Sequence, residues 1–414
     1  MSQMGFQVLM IGPRRAGKSS VLSSMLKSIE LLNRETGFQF VPKPGTDKVM
    51  RDKLSDLSQL FVLHASDPDT PFSTLMGEEA GAAYSPFTGD ETLYSFEFYA
   101  TDAGRKKVSK EKYDVDFIDI PGEHMLKDLN QSGNSVIERY IQSDVVIVAI
   151  DTPALMEGRV KDGVGEFHTL VNIPDSVYNV IQEGDLKWRE RFSEKKLLPK
   201  LILFVPIKCE KYYHARRMSE VETRIRTGYR TTLEYLNKPE YTVAITPILT
   251  LGDIVFAGYG TRINKKGKAV VEMLKPGDAS GLEYMPAYPL YKLRDASCVT
   301  LNPRFCEQPM LFISGFIISR QKKLMKQAKK QARKAQDDNK LKQAFFHAFM
   351  IFMFGINYLA FKGIQFVMQM FKDHTMLDCI EKMCRYIKID GDGYALVQDN
   401  LGIGDLARAY TQKK

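Results

Sequence analysis

The sequence predicts an α/β chain built on a mostly parallel sheet with helices on both faces. Three observations carry this expectation. A short apolar run, Phe6 to Ile11, enters a glycine-containing loop and leaves it as a helical run with Leu22, Met25, Leu26 and Ile29 on one face. Two runs, 144–150 (apolar after its leading Asp144) and 201–205, have the composition of strands covered on both sides. Upstream of both, Thr92–Ala100 alternates: Tyr94, Phe96 and Phe98 share one face, Ser95, Glu97 and Tyr99 the other. With 414 residues, 44% of them hydrophobic, the chain has enough apolar material for one large domain or two ordinary ones.

The first loop is the most specific element. Gly12-Pro13-Arg14-Arg15-Ala16-Gly17-Lys18-Ser19 fits the pattern G-x-x-x-x-G-K-[ST], in the strand–loop–helix setting that the pattern requires. Two glycines permit a tight loop whose N–H groups point inward, and the following helix start adds unpaired donors and partial positive charge. Such a cradle suits the phosphates of a nucleoside triphosphate. The expected binding set is Gly12, Arg14, Arg15, Ala16, Gly17, Lys18, Ser19 and Ser20. Lys18 would reach the β- and γ-phosphates, and the Ser19 hydroxyl would hold Mg²⁺. Arg14 and Arg15 are cationic candidates that could equally face solvent.

A loop rich in Gly, Pro, Ser, Thr and acids follows at 66–90. A hydroxyl and N–H that meet Mg²⁺ and the γ-phosphate are expected there. Thr88 is the choice, with Thr70 and Thr74 as rivals. The next strand ends at Asp119, in Asp119-Ile120-Pro121-Gly122-Glu123. An Asp at that strand end can hold Mg²⁺ through water, and the Gly122 N–H can approach the γ-phosphate. Glu123 could orient an attacking water or pair with a cation; both readings stand. His124 reads as a surface residue. The strand 92–100 and the Asp119 strand should form an antiparallel hairpin, giving a sheet with one antiparallel edge strand. That is a Ras-like arrangement rather than an all-parallel ATPase sheet.

Base recognition is expected where the run 201–205 ends, at Pro206-Ile207-Lys208-Cys209-Glu210. One carboxylate can accept both N1–H and N2–H₂ of guanine and disfavours adenine. Glu210 is the candidate for that role and Lys208 for stacking on the purine; Ile207 stands where an Asn or Thr would be expected. A further strand at 242–248 ends in a loop whose backbone could touch base or ribose.

The P-loop, Asp119–Glu123, Pro206–Glu210 and a later Glu307-Gln308-Pro309 together resemble the bacterial double-GTPase-type members of the TRAFAC GTPase class, over residues 1–320. The resemblance implies a Ras-like P-loop fold, GTP and Mg²⁺ as ligands, and GTP hydrolysis at the γ-phosphate or GTP-dependent switching. Turnover would be slow until a protein effector or second protomer completes the site. The alternatives are a nucleotide-gated docking module with little hydrolysis and an ATP-using P-loop enzyme.

The expected domain layout is 1–319, with insertions near 151–200 and 250–300, then an extension over 320–414. The helix at 177–196 should be interrupted near Gly184. Residues 320–343 carry ten Lys or Arg and two acids, which equals the whole net charge of +8. A solvent-exposed helix is expected at 321–343. The Phe- and Met-rich run 344–371 follows and reads as a buried, interfacial or short spanning helix. A membrane surface is thus a candidate partner for 320–371; nucleic acid is not, because no recognition motif accompanies the basic run. Lys388–Val397 fails the Ca²⁺-loop pattern and reads as a hairpin turn around Asp390–Gly393. Five scattered cysteines without metal spacing and no secretory leader point to a cytoplasmic chain, with a peripheral position at the inner membrane face as a further possibility.

Overall fold

The computed structural model describes residues 5–13, 16–66, 91–102, 107–108, 112–125, 135–157, 160–161, 164–192, 199–259, 261–263, 269–271, 289–294, 301–333 and 374–411. Its principal strands, in chain order, are β1 (Gly5–Ile11), β2 (Phe38–Pro42), β3 (Thr92–Asp102), β4 (Tyr113–Asp119), β5 (Val145–Asp151), β6 (Lys200–Ile207) and β7 (Tyr241–Ile245). A separate antiparallel hairpin of β8 (Ile254–Tyr259) and β9 (Pro289–Leu293) precedes β10 (Asp390–Gly391) and β11 (Tyr394–Gln398). Nine strands form one mixed sheet in the order β10-β11-β7-β6-β5-β1-β4-β3-β2, and a two-residue strand at 107–108 pairs with β3. The inner strands β7, β6, β5, β1 and β4 are parallel. The strands outside them are antiparallel on both sides.

That second antiparallel side corrects the expectation of a single antiparallel edge. It is supplied by β11, which pairs with β7 about 150 residues downstream of it, a distance over which local patterning carries no signal. The hairpin turn at 390–393 is present as expected, with Gly391 and Gly393 both at positive φ. What extends the main sheet is the pairing of its second strand.

Alternation along the central strand explains the two layers. Val8 and Met10 enter one core, Leu9 and Ile11 the other. Every residue of β5 and β6 is buried, which is why those runs read as continuous apolar segments. Helices α1 (Lys18–Thr36) and α2 (Pro44–Ser66) follow β1 and β2; α3 (Ser135–Gln142) and α4 (Pro174–Arg191) flank β5 in sequence. The C-terminal part adds α5 (Gln308–Arg333), α6 (His374–Met383) and α7 (Ile403–Thr411). Residues of α1, α5, α6 and α7 share one core, and residues of α3 and α4 sit in the opposite one. Each fully buried large side chain contributes about 1.5–3 kcal/mol relative to exposure.

Two expectations change. First, α4 runs unbroken through Gly184. A Cβ at that position would lie 2.4 Å from Cδ1 of Tyr140 on α3, so the glycine serves the close approach of two helices and does not interrupt one. Second, the expected domain boundary at 319/320 falls inside α5, which starts at Gln308 and is buried from Pro309 to Arg320. Arg320, the first residue of the basic run, is itself buried and its Nη1 lies 2.6 Å from Asp144 Oδ1. The Gln308 side chain donates to Tyr386 O at 3.0 Å and accepts from Lys388 N at 3.0 Å, tying α5 to the segment that enters β10. Residues 374–411 therefore complete the same core as residues 5–333. The run 344–371 lies outside the described residues. Among the described residues no helix is long and apolar enough to cross a membrane. Cys209, Cys306, Cys379 and Cys384 are buried and none is in a disulfide among the described residues, and Cys298 lies outside the described residues.

A chain ending at residue 319 leaves β7 without its outer neighbour β11 and opens the α1-side core. It is expected to lose its cooperative thermal transition, followed by circular dichroism. A cooperative melt at the full-length temperature refutes the shared core.

Candidate functional site

The parallel strands bring several chain segments to one edge. Met10 pairs with Asp119, Ile11 with Val148, and Asp151 with Ile207, so the loops after β1, β4, β5 and β6 all leave the carboxyl end of the sheet. In open α/β sheets that edge is where ligands bind.

The loop after β1 is packed tightly against β5. Gly12 has φ +145°, and a Cβ there would sit 2.6 Å from Ala149 O; Gly17 has φ +101°. Both positions demand glycine, one for a close approach and one for its backbone conformation. Lys18 opens α1 and is buried. Its ammonium donates to Gly12 O at 3.3 Å and Pro13 O at 3.2 Å, and lies 3.6 Å from Asp119 Oδ1. Ser19 Oγ donates to Asp119 Oδ2 at 2.9 Å. Tyr94 on β3 hydrogen-bonds Ser19, and burial raises its phenol pKa. Lys18, Ser19 and Asp119 thus meet at one point, 100 residues apart in sequence. Asp119 Oδ1 is buried and accepts no hydrogen bond.

The turn after β4, Gly122–Met125, folds back on the loop. The Gly12 N–H donates to Met125 Sδ at 3.3 Å. Gly122 is buried within that turn, and His124 is half-buried rather than fully exposed. Ala16 is buried and Ser20 half-buried. Arg14, Arg15, Thr70, Thr74 and Thr88 lie outside the described residues, as does the side chain of Glu123.

The loop after β6 forms the other wall. Lys208 has φ +59°, unusual for a residue with a Cβ. Its ammonium lies 2.6 Å from Asp151 Oδ2 and also hydrogen-bonds Tyr291 on β9. Burial pulls the Lys208 pKa down, but Asp151 and Tyr291 more than offset this, and the net shift is upward. Its Cε stands 3.9 Å from where a Gly17 Cβ would be, so this wall lies beside the Gly12–Gly17 loop. Asp151 is held rigidly: Oδ1 accepts from Ala154 N at 2.9 Å, and Asn172 brackets the Asp151 backbone with bonds of 2.8 and 3.0 Å.

Glu210 sits deeper. It is 1% exposed, and its Oε1 accepts from Leu251 N at 2.6 Å and Gly252 N at 3.3 Å. Burial pushes its carboxyl up to about 7, against the opposing pull of those N–H groups and Lys208. The carboxylate expected to read a base is thus engaged with the loop after β7. That loop is clamped from other sides as well. Ser24 Oγ on α1 donates to Thr250 O at 3.1 Å, and Leu249 and Arg304 exchange backbone bonds of 2.9 Å.

The oxygen pair of Ser19 and Asp119 is the arrangement available to a hard divalent cation. Among the described residues no group of three or more His, Cys, Asp or Glu side chains has metal-binding geometry. No protein-family model matches this chain, and no curated protein matches it.

Residue-level reading of the sequence did not identify Asp151, Met125 or Tyr291. Asp151 carries a local signal, an Asp before Thr-Pro at a strand end, which is the composition of a helix N-cap. Tyr291 carries none, because its hairpin meets Lys208 from 83 positions away.

Glu210 has a folded-state pKa above its unfolded value near 4.5, so its contribution is fully present below pH 4.5 and is lost as pH rises through about 7. Relative to Glu210→Gln, which does not titrate, the wild-type chain should lose about 3 kcal/mol of stability between pH 4.5 and 8. Urea denaturation of both proteins across that range measures the difference; a flat difference profile contradicts the buried carboxyl.

Proposed function

We propose that this chain is a Mg²⁺-dependent GTP-binding and GTP-hydrolysing switch with a Ras-like P-loop fold, akin to the bacterial double-GTPase-type TRAFAC proteins. The observation that carries the reading is the convergence of Lys18, Ser19 and Asp119 beside the Gly12–Gly17 loop, at the carboxyl end of parallel strands. Lys18 would exchange its two carbonyl partners for phosphate oxygens, which are stronger acceptors. Backbone N–H groups at the start of α1 would bind the same phosphates.

The donor set fits Mg²⁺. Ser19 Oγ and the Asp119 carboxylate are hard oxygen ligands or water anchors, and Asp119 Oδ1 has an unfilled acceptor position. When bound, Mg²⁺ supplies charge neutralisation at the β- and γ-phosphates. Of the chain's own residues, Lys18 would orient the triphosphate by charge and Gly122 by its N–H; the threonine expected to add its hydroxyl and N–H, Thr88 with Thr70 and Thr74 as rivals, lies outside the described residues. Glu123 would align the attacking water. Catalysis is then positioning and charge stabilisation, slow until an effector or second protomer contributes. The Met125 contact with Gly12 N gives the turn after Asp119 a direct link to the loop, which a switch requires.

Lys208 would lie along the purine. A second reading, an ATP-using P-loop enzyme, is favoured by one observation: Glu210 Oε1 already accepts two N–H groups that compete with guanine for it. A nucleotide-gated docking module with little hydrolysis, acting at a cytoplasmic membrane face through 320–371, remains compatible with this site. It would use residues beyond Arg320, because that side chain is committed to Asp144.

Lys18→Ala is expected to weaken GTP binding by about a hundredfold or more, measured by calorimetry with Mg²⁺ present. Unchanged affinity refutes the triphosphate reading. In competition, GTP should displace a fluorescent nucleotide at lower concentration than ATP; the reverse order selects the ATP reading.

A further inference from the structure

The β8–β9 hairpin belongs to no part of the expected phosphate site, yet it reaches Lys208. Tyr291 pairs across the hairpin with Phe256, their rings 6.0 Å apart at 73°, and Lys211 lies 5.2 Å over the Phe256 ring. The hairpin is closed at its base by Asp253 and Arg294, through a backbone bond of 2.8 Å and an ion pair of 3.2 Å. It begins three residues after Leu251, whose N–H is held by Glu210. Leu251, Ile254 and Leu301 form a small core of their own, against which Tyr291, Leu293 and Leu54 pack. Tyr291 is therefore anchored to this small core.

We propose that Tyr291 is a positioning residue for a purine nucleoside triphosphate: its hydroxyl oxygen and the Asp151 carboxylate hold the Lys208 ammonium, so that the lysine stem lies beside Gly17 and along the face of the bound base. This rests on the nucleotide reading of the site and adds the hairpin to it. Lys208 keeps a left-handed backbone that a side-chain-bearing residue adopts only at a cost, so its surroundings must hold it there. Asp151 is immobilised by Ala154 N and Asn172, which leaves it as one fixed anchor for the ammonium. Tyr291 is the other. A lysine with two anchors on its head group presents its apolar stem in one place, and the entropy of ordering it is lost before the base arrives. Glu210 acts further back, by fixing the loop from which the hairpin starts.

The test compares ligands with and without a base. Dissociation constants for GTP, ATP and inorganic tripolyphosphate are measured by calorimetry on full-length wild type and Tyr291→Phe, with Mg²⁺. Tyr291→Phe keeps the ring and removes only the hydroxyl. It is expected to weaken binding of the preferred nucleotide about tenfold (about 1.4 kcal/mol) and to leave tripolyphosphate within about twofold. In a Lys208→Met background, which keeps an apolar stem without the ammonium, Tyr291→Phe should cost nothing further. Unchanged nucleotide affinity, equal loss for nucleotide and tripolyphosphate, or an undiminished loss in the Lys208→Met background each overturns the proposal. If wild type binds neither nucleotide, the nucleotide reading itself fails, and this inference with it.

Discussion

Strand β1 is hydrogen-bonded in parallel on both sides, to β4 at a register that sets Met10 beside Asp119 and to β5 at one that sets Ile11 beside Val148. Register in a sheet buried on both faces is not adjustable: a one-residue slip would exchange Val8 and Met10 with Leu9 and Ile11 and send each set into the wrong core. Because the register is fixed, Asp119 must end next to the loop that follows Ile11, and Ser19 on the first turn of α1 must meet it. The loop needs no long-range contact of its own to find its partner. The sheet delivers both ends.

Charge is handled differently at the two edges of that sheet. At the amino ends of β6 and β7, Asp185 is fully buried and receives Tyr235 and Tyr241 hydroxyls at 2.7 and 2.5 Å, Arg189 at 3.0 Å and Lys238 at 3.1 Å. Burial raises its pKa, but those donors outweigh burial and the net shift is downward. Nearby Lys200 donates to Tyr140 O and Ser143 O and lies 4.7 Å from the Trp188 ring; burial pulls it down to about 7. A buried carboxylate with four donors is structural. Asp119 at the opposite edge has one hydroxyl donor and an oxygen that accepts no hydrogen bond. The two carboxylates thus differ in how many donors they hold, although Asp119 Oδ1 also faces the Lys18 ammonium at 3.6 Å.

How much of this was legible in the sequence depends on the range of the interactions involved. β1, the glycine loop and the α1 start are adjacent in the chain, and their pattern identified them with the correct boundaries to within a residue or two. β5 and β6 were legible because burial on both faces leaves an unmistakable apolar run. Gly184 misled, since a glycine required for a helix–helix contact looks the same in one dimension as a helix breaker. The role of Gln308 is hidden for a related reason: the segment Glu307-Gln308-Pro309 carries no local signal of its partners at 386–388. Lys208 and Glu210 were legible only as candidates, by their position at a strand end. Their environments were not, because Tyr291, Leu251 and Gly252 arrive from other segments.

The continuity of α5 across the expected boundary, with α6 packed on the same core, has a topological consequence for the forty residues between Arg333 and His374. A terminal tail is a leash, attached once and free to reach its full contour length. A segment attached twice is a closed loop, and its farthest point can stand no more than about 70 Å from its roots even when fully drawn out. Its closure entropy grows only slowly with its length, so such a loop can be long without destabilising the body that carries it. Both helices at its roots lean on the sheet face that also receives α1.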